Sequence, residues 1–294
     1  MKYLIRSTIV KIVVLTVVST LVMPSVVLGL TSNQKIRFYG RGKAHGVGMS
    51  MAGVYSLALR HKKKYGWILR HYYKNIGFSK RSDLTKIKVK CIDGKIRLTR
   101  IKDYLYRLAE EPDDWPMEGL KTLMVAARSY LWYKLDRYGY MPGGQYYIHT
   151  INPKKRPRTV AAVKATQHLI ATYNKQPILA AYCSSSGGIT ATLKDIWGGN
   201  NLPYLTRVVS PWDKVFRKTW YWRQDVKVSA IEKAFPSLGG LKAINIISKN
   251  KVGSWGGRVL QIRLVGKVRS ITMSGWSFAG AVGLKSSWFT YRVL

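Results

Sequence analysis

The run AEEPDDWPMEGLKTLMVAARSYL, residues 109–131, most constrains what this chain can fold into. Proline lacks a backbone donor and breaks a helix interior, so Pro112 and Pro116, with Asp113 and Asp114 beside them, mark a helix start. The acidic residues there would cap the helix and complement the positive end of its dipole. Leu120, Met124, Ala127 and Leu131 then recur at helical spacing, which predicts a core-facing helix running to about Leu135 and ended by Tyr138-Gly139.

Around this helix the period of the apolar pattern keeps changing. Lys35–Tyr39 reads as a strand entering the Gly-rich loop GRGKAHGVGMS, residues 40–50, and the spacing over 50–60 and 65–73 is helical. Lys86–Cys91 and Lys95–Thr99 alternate apolar and basic residues around Asp93-Gly94, a hairpin signal. A second helix is expected over Arg158–Tyr173, followed by an apolar strand Pro177–Tyr182 that empties into SSSGGIT, residues 184–190. Val259–Val265 and Val268–Met273 read as strands joined through Gly266-Lys267. Long strands and helices do not alternate regularly, so the fold class is α+β, helices mixed with mainly antiparallel strands, rather than a doubly wound sheet.

Charge narrows the function. The 294 residues are 47% hydrophobic, enough for a large core, yet carry 50 Lys and Arg against 13 Asp and Glu, a formal net charge of +37. Such a chain is drawn to polyanions: nucleic acid, anionic membrane or an acidic wall polymer. The N-terminus bears on which. Lys2, Arg6 and Lys11 precede the apolar stretch Ile12–Val22, and Pro24 with Val27-Leu28-Gly29 offers a cleavage site, so residues 1–29 read as an export signal, with an uncleaved anchor as the alternative. Either form places the bulk of the chain outside the cytoplasm and speaks against a specific nucleic-acid partner; contact with membrane is expected only through this segment. Cys91 and Cys183 could pair or stand as two buried thiols, and no close Cys or His spacing suggests a metal or other cofactor.

Against this basic background, Glu110, Glu111, Asp113, Asp114 and Glu118 fall within nine positions, the place to look for proton-transfer chemistry. A plain helix cap is the competing reading. The Gly-rich loop lacks both the P-loop ending and GxGxxG spacing, which speaks against phosphate cradling and for a structural turn. SSSGGIT reads either as a turn or as a wall of hydroxyl donors.

These blocks also occur in a recognisable order. GRGKAHGVGMSMAGVYSLAL with GWILRHYY, DYLYRLAEEPDDWPMEGLKTLMVAARSY, AAVKATQHLIATYNKQPILAAYCSSSGGITATLKDIWGGNNLPYLTRVVSPWD and the closing AVGLKSSWF resemble the SpoIID and LytB amidase-enhancer family over roughly Phe38 to Phe289. The resemblance implies a single grooved domain over residues 30–294 and sporulation-related work on peptidoglycan, needing no cofactor and having a wall amidase as a candidate partner. It places the general acid/base of a lytic transglycosylase at Glu110, with Glu111 as the adjacent alternative. It also implies that His45, Ser50, Glu111, Arg128, Ser129, Ser185, Ser186, Gly187, Gly188 and Thr190 line the glycan groove or steady the acid. Met51 and Leu123 stand where relatives commonly carry Gln, and YYIHTINPKKRPR lacks the Gln-Tyr pair expected before the second helix. Repulsion from Glu111, Asp113 and Asp114, with an apolar wall, is expected to raise the Glu110 pKa.

Overall fold

The computed structural model describes residues 29–294, so the expected signal or anchor lies, but for Gly29, outside the described residues. Among them no helix is long and apolar enough to cross a membrane. The class is α+β, and it is built around two buried cores.

The first core forms on the helix Met117–Tyr138, whose Leu120, Met124, Ala127 and Leu131 are all buried, as their spacing requires. Gly139 ends it in the left-handed region, at φ +71°, which only glycine adopts without strain. Helices Met51–Leu59, Tyr65–Tyr72 and Pro157–Ala165 pack around it. The expected hairpin is present, Lys86–Lys90 pairing with Ile96–Arg100. A two-residue parallel ladder, Met49–Ser50 with Tyr182–Cys183, ties the Gly-rich loop to the strand that leads into SSSGGIT.

The second core lies under two antiparallel sheets. One places Lys35–Gly40 between Phe289–Val293 and Trp222–Lys227; the other runs Leu241–Lys249, Val259–Gly266, Ser270–Ser274. Ile36 and Phe38 point inward, with Phe38 meeting Phe289 at 5.5 Å between ring centroids.

Three local expectations need correction. The acidic residues do not cap the long helix: its N-cap is Pro116, without a side-chain bond. Asp113 turns instead to the neighbouring helix and accepts the backbone N–H of Arg158 (3.1 Å) and Thr159 (2.7 Å). The segment Arg158–Tyr173 is not one helix. It stops at Ala165, reverses at His168 with φ +65°, and continues as the strand Leu169–Tyr173, which pairs with Gly77–Lys80. Ile170 and Thr172, β-branched, favour the sheet. The apolar run Pro177–Tyr182 is paired only at its two ends, at Gln176–Pro177 and Tyr182–Cys183. Cys91 and Cys183 are both buried and free.

Candidate active site

The acidic loop is held by its backbone, which leaves its glutamates free of structural duty. Leu108 faces Tyr147 in an antiparallel bridge, and Ala109 N–H donates to the Tyr146 carbonyl at 2.8 Å. From the basic run before the next helix, Arg156 donates to the carbonyls of Leu108 and Glu111, and Arg158 to that of Trp115. Part of the basic charge therefore acts locally, as two arginines clamp the loop while Asp113 caps their helix in return.

Glu110 is half-buried, and its Oε1 accepts the Tyr146 N–H at 2.7 Å and the Tyr182 hydroxyl at 2.8 Å. Tyr182 is delivered by the short parallel ladder. Gln145 braces the same corner, accepting the Tyr104 hydroxyl at 2.7 Å and donating to the Ala127 carbonyl at 3.2 Å. Among the described residues, no Lys or Arg lies within ion-pair distance of Glu110 or Glu111.

Burial raises the pKa of Glu110; the hydrogen bonds from Tyr146 and Tyr182, which favour the charged form, oppose it without cancelling it. The expected repulsion from Asp113 and Asp114 is not the cause, since Asp113 faces the other helix, where the bonds from Thr159 and Arg158 outweigh burial and hold it below its ordinary value. Glu111, also half-buried, is pushed up to about 8 by burial and then by repulsion from Glu110, with Lys43 acting against both. Glu110 and Glu111, adjacent and both raised, titrate as a coupled pair. The second oxygen of Glu110 accepts no bond among the described residues and is the one left for a proton or a ligand.

The other expected site residues fall into distinct places. His45 sits in the Gly-rich loop with Nδ1 accepting the Val47 N–H at 3.0 Å; burial, then the nearby Arg258 charge, lower its pKa to about 4, so it is a neutral imidazole. Ser50, Ser185 and Ser186 are fully buried, and their hydroxyls donate to Asp213 Oδ2 at 2.8, 3.0 and 2.9 Å. The Gly187 N–H joins them at 3.0 Å and the Ser210 hydroxyl reaches Oδ1 at 2.6 Å. Gly188 packs against Trp220, and the Thr190 hydroxyl donates to the Thr206 carbonyl and accepts the Val208 N–H. The Ser185 and Ser186 hydroxyls of SSSGGIT are thus turned to an internal carboxylate, while Gly187, Gly188 and Ile189 line a cleft with Trp220 and Trp288. Arg128 is buried in an ion pair with Asp83 at 2.7 Å, and Ser129 joins the long helix to the strand at Ala171. Both belong to the framework behind the acid.

Sequence reasoning missed Tyr182, Lys43 and Asp213, whose roles arise only from chain segments far apart. Gln145 and Tyr146 did carry a signal. The Gln-Tyr pair is present one residue before the stretch read as lacking it, and both members stand at Glu110. Met51 and Leu123, which stand where relatives commonly carry Gln, are core residues, 2% and 1% exposed.

The family model described as stage II sporulation protein, SpoIID, matches residues 94–173, the span that holds Glu110, Glu111, Gln145 and Tyr146. Over that segment the chain is similar to SpoIID proteins. It is 31% identical over 138 residues to stage II sporulation protein D of Bacillus subtilis (strain 168), covering 47% of this chain and 38% of that protein. To the amidase enhancer of the same organism it is 34% identical over 101 residues, 33% of this chain and 13% of that one. A stage II sporulation protein D of Bacillus amyloliquefaciens is 45% identical over 53 residues, 18% of this chain and 15% of the other. The SpoIID-like chain spans less than two thirds of the length of these curated relatives. No solved structure matches it.

Proposed function

We propose that this protein acts at the cell wall, outside the cytoplasm, as a lytic transglycosylase that cuts peptidoglycan strands with Glu110 as general acid and base. The observation that carries this reading is the carboxyl of Glu110: half-open, fixed through Oε1 by Tyr146 and Tyr182, raised in pKa and free of any basic ion-pair partner among the described residues. The protonated carboxyl gives its proton to the glycosidic oxygen as the C1–O bond breaks, freeing the 4-hydroxyl of the departing sugar. The C6 hydroxyl oxygen of the muramyl residue then bonds to C1, and its proton returns to Glu110. The product is a 1,6-anhydro sugar; no water is consumed and no second catalytic carboxylate is required, unlike the usual paired-carboxylate hydrolysis. Glu111, pushed up to about 8 beside it, forms with Glu110 the coupled pair that holds the proton to be donated. The net charge of +37 draws the protein to wall carboxylates and phosphate-containing wall polymers.

A second reading has one specific support, the match to an amidase enhancer: a non-catalytic wall-binding module that assists an amidase. Incubating the protein with purified peptidoglycan separates the two. Release of 1,6-anhydro-muropeptides by wild type, lost in Glu110→Gln, is the expected result; co-sedimentation with wall and no anhydro product would leave the module. Binding to wall should weaken in high salt if the basic surface drives it.

A further inference from the structure

A cleft of about 700 Å³, within the range of small-molecule sites, opens between the short helix Leu193–Trp197 and the strands Val259–Gly266 and Ser270–Ser274. It lies outside the segment that matches the SpoIID model. Trp197 and Trp276 both line it, with the former 48% exposed. Two of the chain's ten tryptophans donate their indole N–H within the fold, Trp222 to the Gly42 carbonyl and Trp288 to that of Ser254. Among the described residues neither Trp197 nor Trp276 has such an acceptor, and the exposed Gln261 and Thr272 side chains on the cleft wall have no protein partner either.

The walls are fixed with respect to one another. A capping box between Thr192 and Asp195 defines the short helix, and the Asp195 carboxylate is bound by Arg207 at 2.9 Å and by Asn250, beside the sheet, at 3.1 Å. Asp195 is therefore neutralised, and exposed Lys194 leaves the rim cationic. The His45 ring backs both aromatics, 4.8 Å from Trp197 and 6.3 Å from Trp276 between centroids. Its neighbour Tyr182 reaches Glu110, so the cleft is joined to the acid site through a single pair of residues.

We infer that this cleft is a second saccharide site, which holds one or more pyranose rings of an amino-sugar strand against Trp197 and Trp276. Aromatic faces take the apolar C–H side of a sugar ring, while Gln261, Thr272 and the indole N–H groups are placed for its hydroxyls and amides. A preformed apolar floor with a few free polar groups suits a ligand that is itself amphipathic ring by ring. The choice of an amino-sugar polymer rests on the proposed wall function; the existence of a sugar site does not.

The test is titration of full-length protein with a soluble tetrasaccharide of β-1,4-linked N-acetylglucosamine, followed by calorimetry and by the indole ¹⁵N–¹H resonances. Those of Trp197 and Trp276 are expected to move, and Trp197→Ala to weaken Kd by about tenfold. Gln261→Ala, a fully surface change that cannot unfold the chain, is expected to weaken it about threefold. Unmoved indole signals, or Kd unchanged in both variants, would overturn the inference. Indole shifts retained in a wild-type protein that releases no anhydro product would support the cleft and sink only the enzymatic reading.

Discussion

Asp213 and Glu110 are both acidic side chains that accept hydroxyl hydrogen bonds, yet they belong to opposite kinds of region. Asp213 is wholly buried and meets five donors, from Ser50, Ser185, Ser186, Gly187 and Ser210. Glu110 is half-open and meets two, both on one oxygen. A buried polar group must find hydrogen-bond partners, and the hydroxyl-rich loop supplies them to Asp213. At Glu110 the two donors do not offset desolvation, so its pKa is raised and its second oxygen stays free. The lesson is that a cluster of serines beside glycines identifies a carboxylate to be held as readily as a ligand to be bound.

That contrast can be broken at either end. The largest effect is expected at Asp213→Ala, which strands several buried donors at once; unfolding in denaturant should show a loss on the order of 4 kcal/mol. Equal stability of the variant would dissolve the distinction between the two carboxylates. Glu110→Gln should instead leave the denaturation midpoint within about 1 kcal/mol and lower release of anhydro product at least about 100-fold. Arg156→Ala removes the clamp on Leu108 and Glu111 and should cost about 2 kcal/mol together with part of the activity. In Tyr182→Phe the carboxyl loses a donor that favours its charged form, so its pKa rises and the alkaline limb of the pH profile moves upward. A limb that moved down would contradict the assignment.

The smallest expected effect concerns Glu111 and stability. Its folded pKa, about 8, lies above the ordinary value of 4.5, so between these the native state binds more protons than the unfolded one and stability falls as pH rises. Glu111→Gln should flatten that fall, raising Tm relative to wild type at pH 8.5 and scarcely at pH 4.

Much of the scaffold is legible in the sequence because it rests on local periodicity. The long helix, the Asp93-Gly94 hairpin and the strand Lys35–Gly40 announce themselves by spacing and turn residues. Leu169–Tyr173 reads as helix because helix and strand spacings overlap over so short an apolar run, and its sheet partner Gly77–Lys80 lies about ninety positions away. For the candidate site, the acidic pair is visible as composition, whereas the pocket that tunes it is not. Tyr182 comes to Glu110 through a parallel ladder of only two residues, which leaves no periodic trace. Asp213 lies in SPWD, a short turn with nothing in its spacing to say that three distant serines point at it.

That two-residue ladder also dictates when the site can first exist. Position 110 emerges from synthesis well before residue 182, and residue 213, which secures the loop carrying Tyr182, comes later still. A nascent or truncated chain ending before these positions holds the acid and Tyr146 but lacks the Tyr182 hydroxyl on the same oxygen. The surroundings of Glu110 are therefore complete only late, after most of the polypeptide is already made.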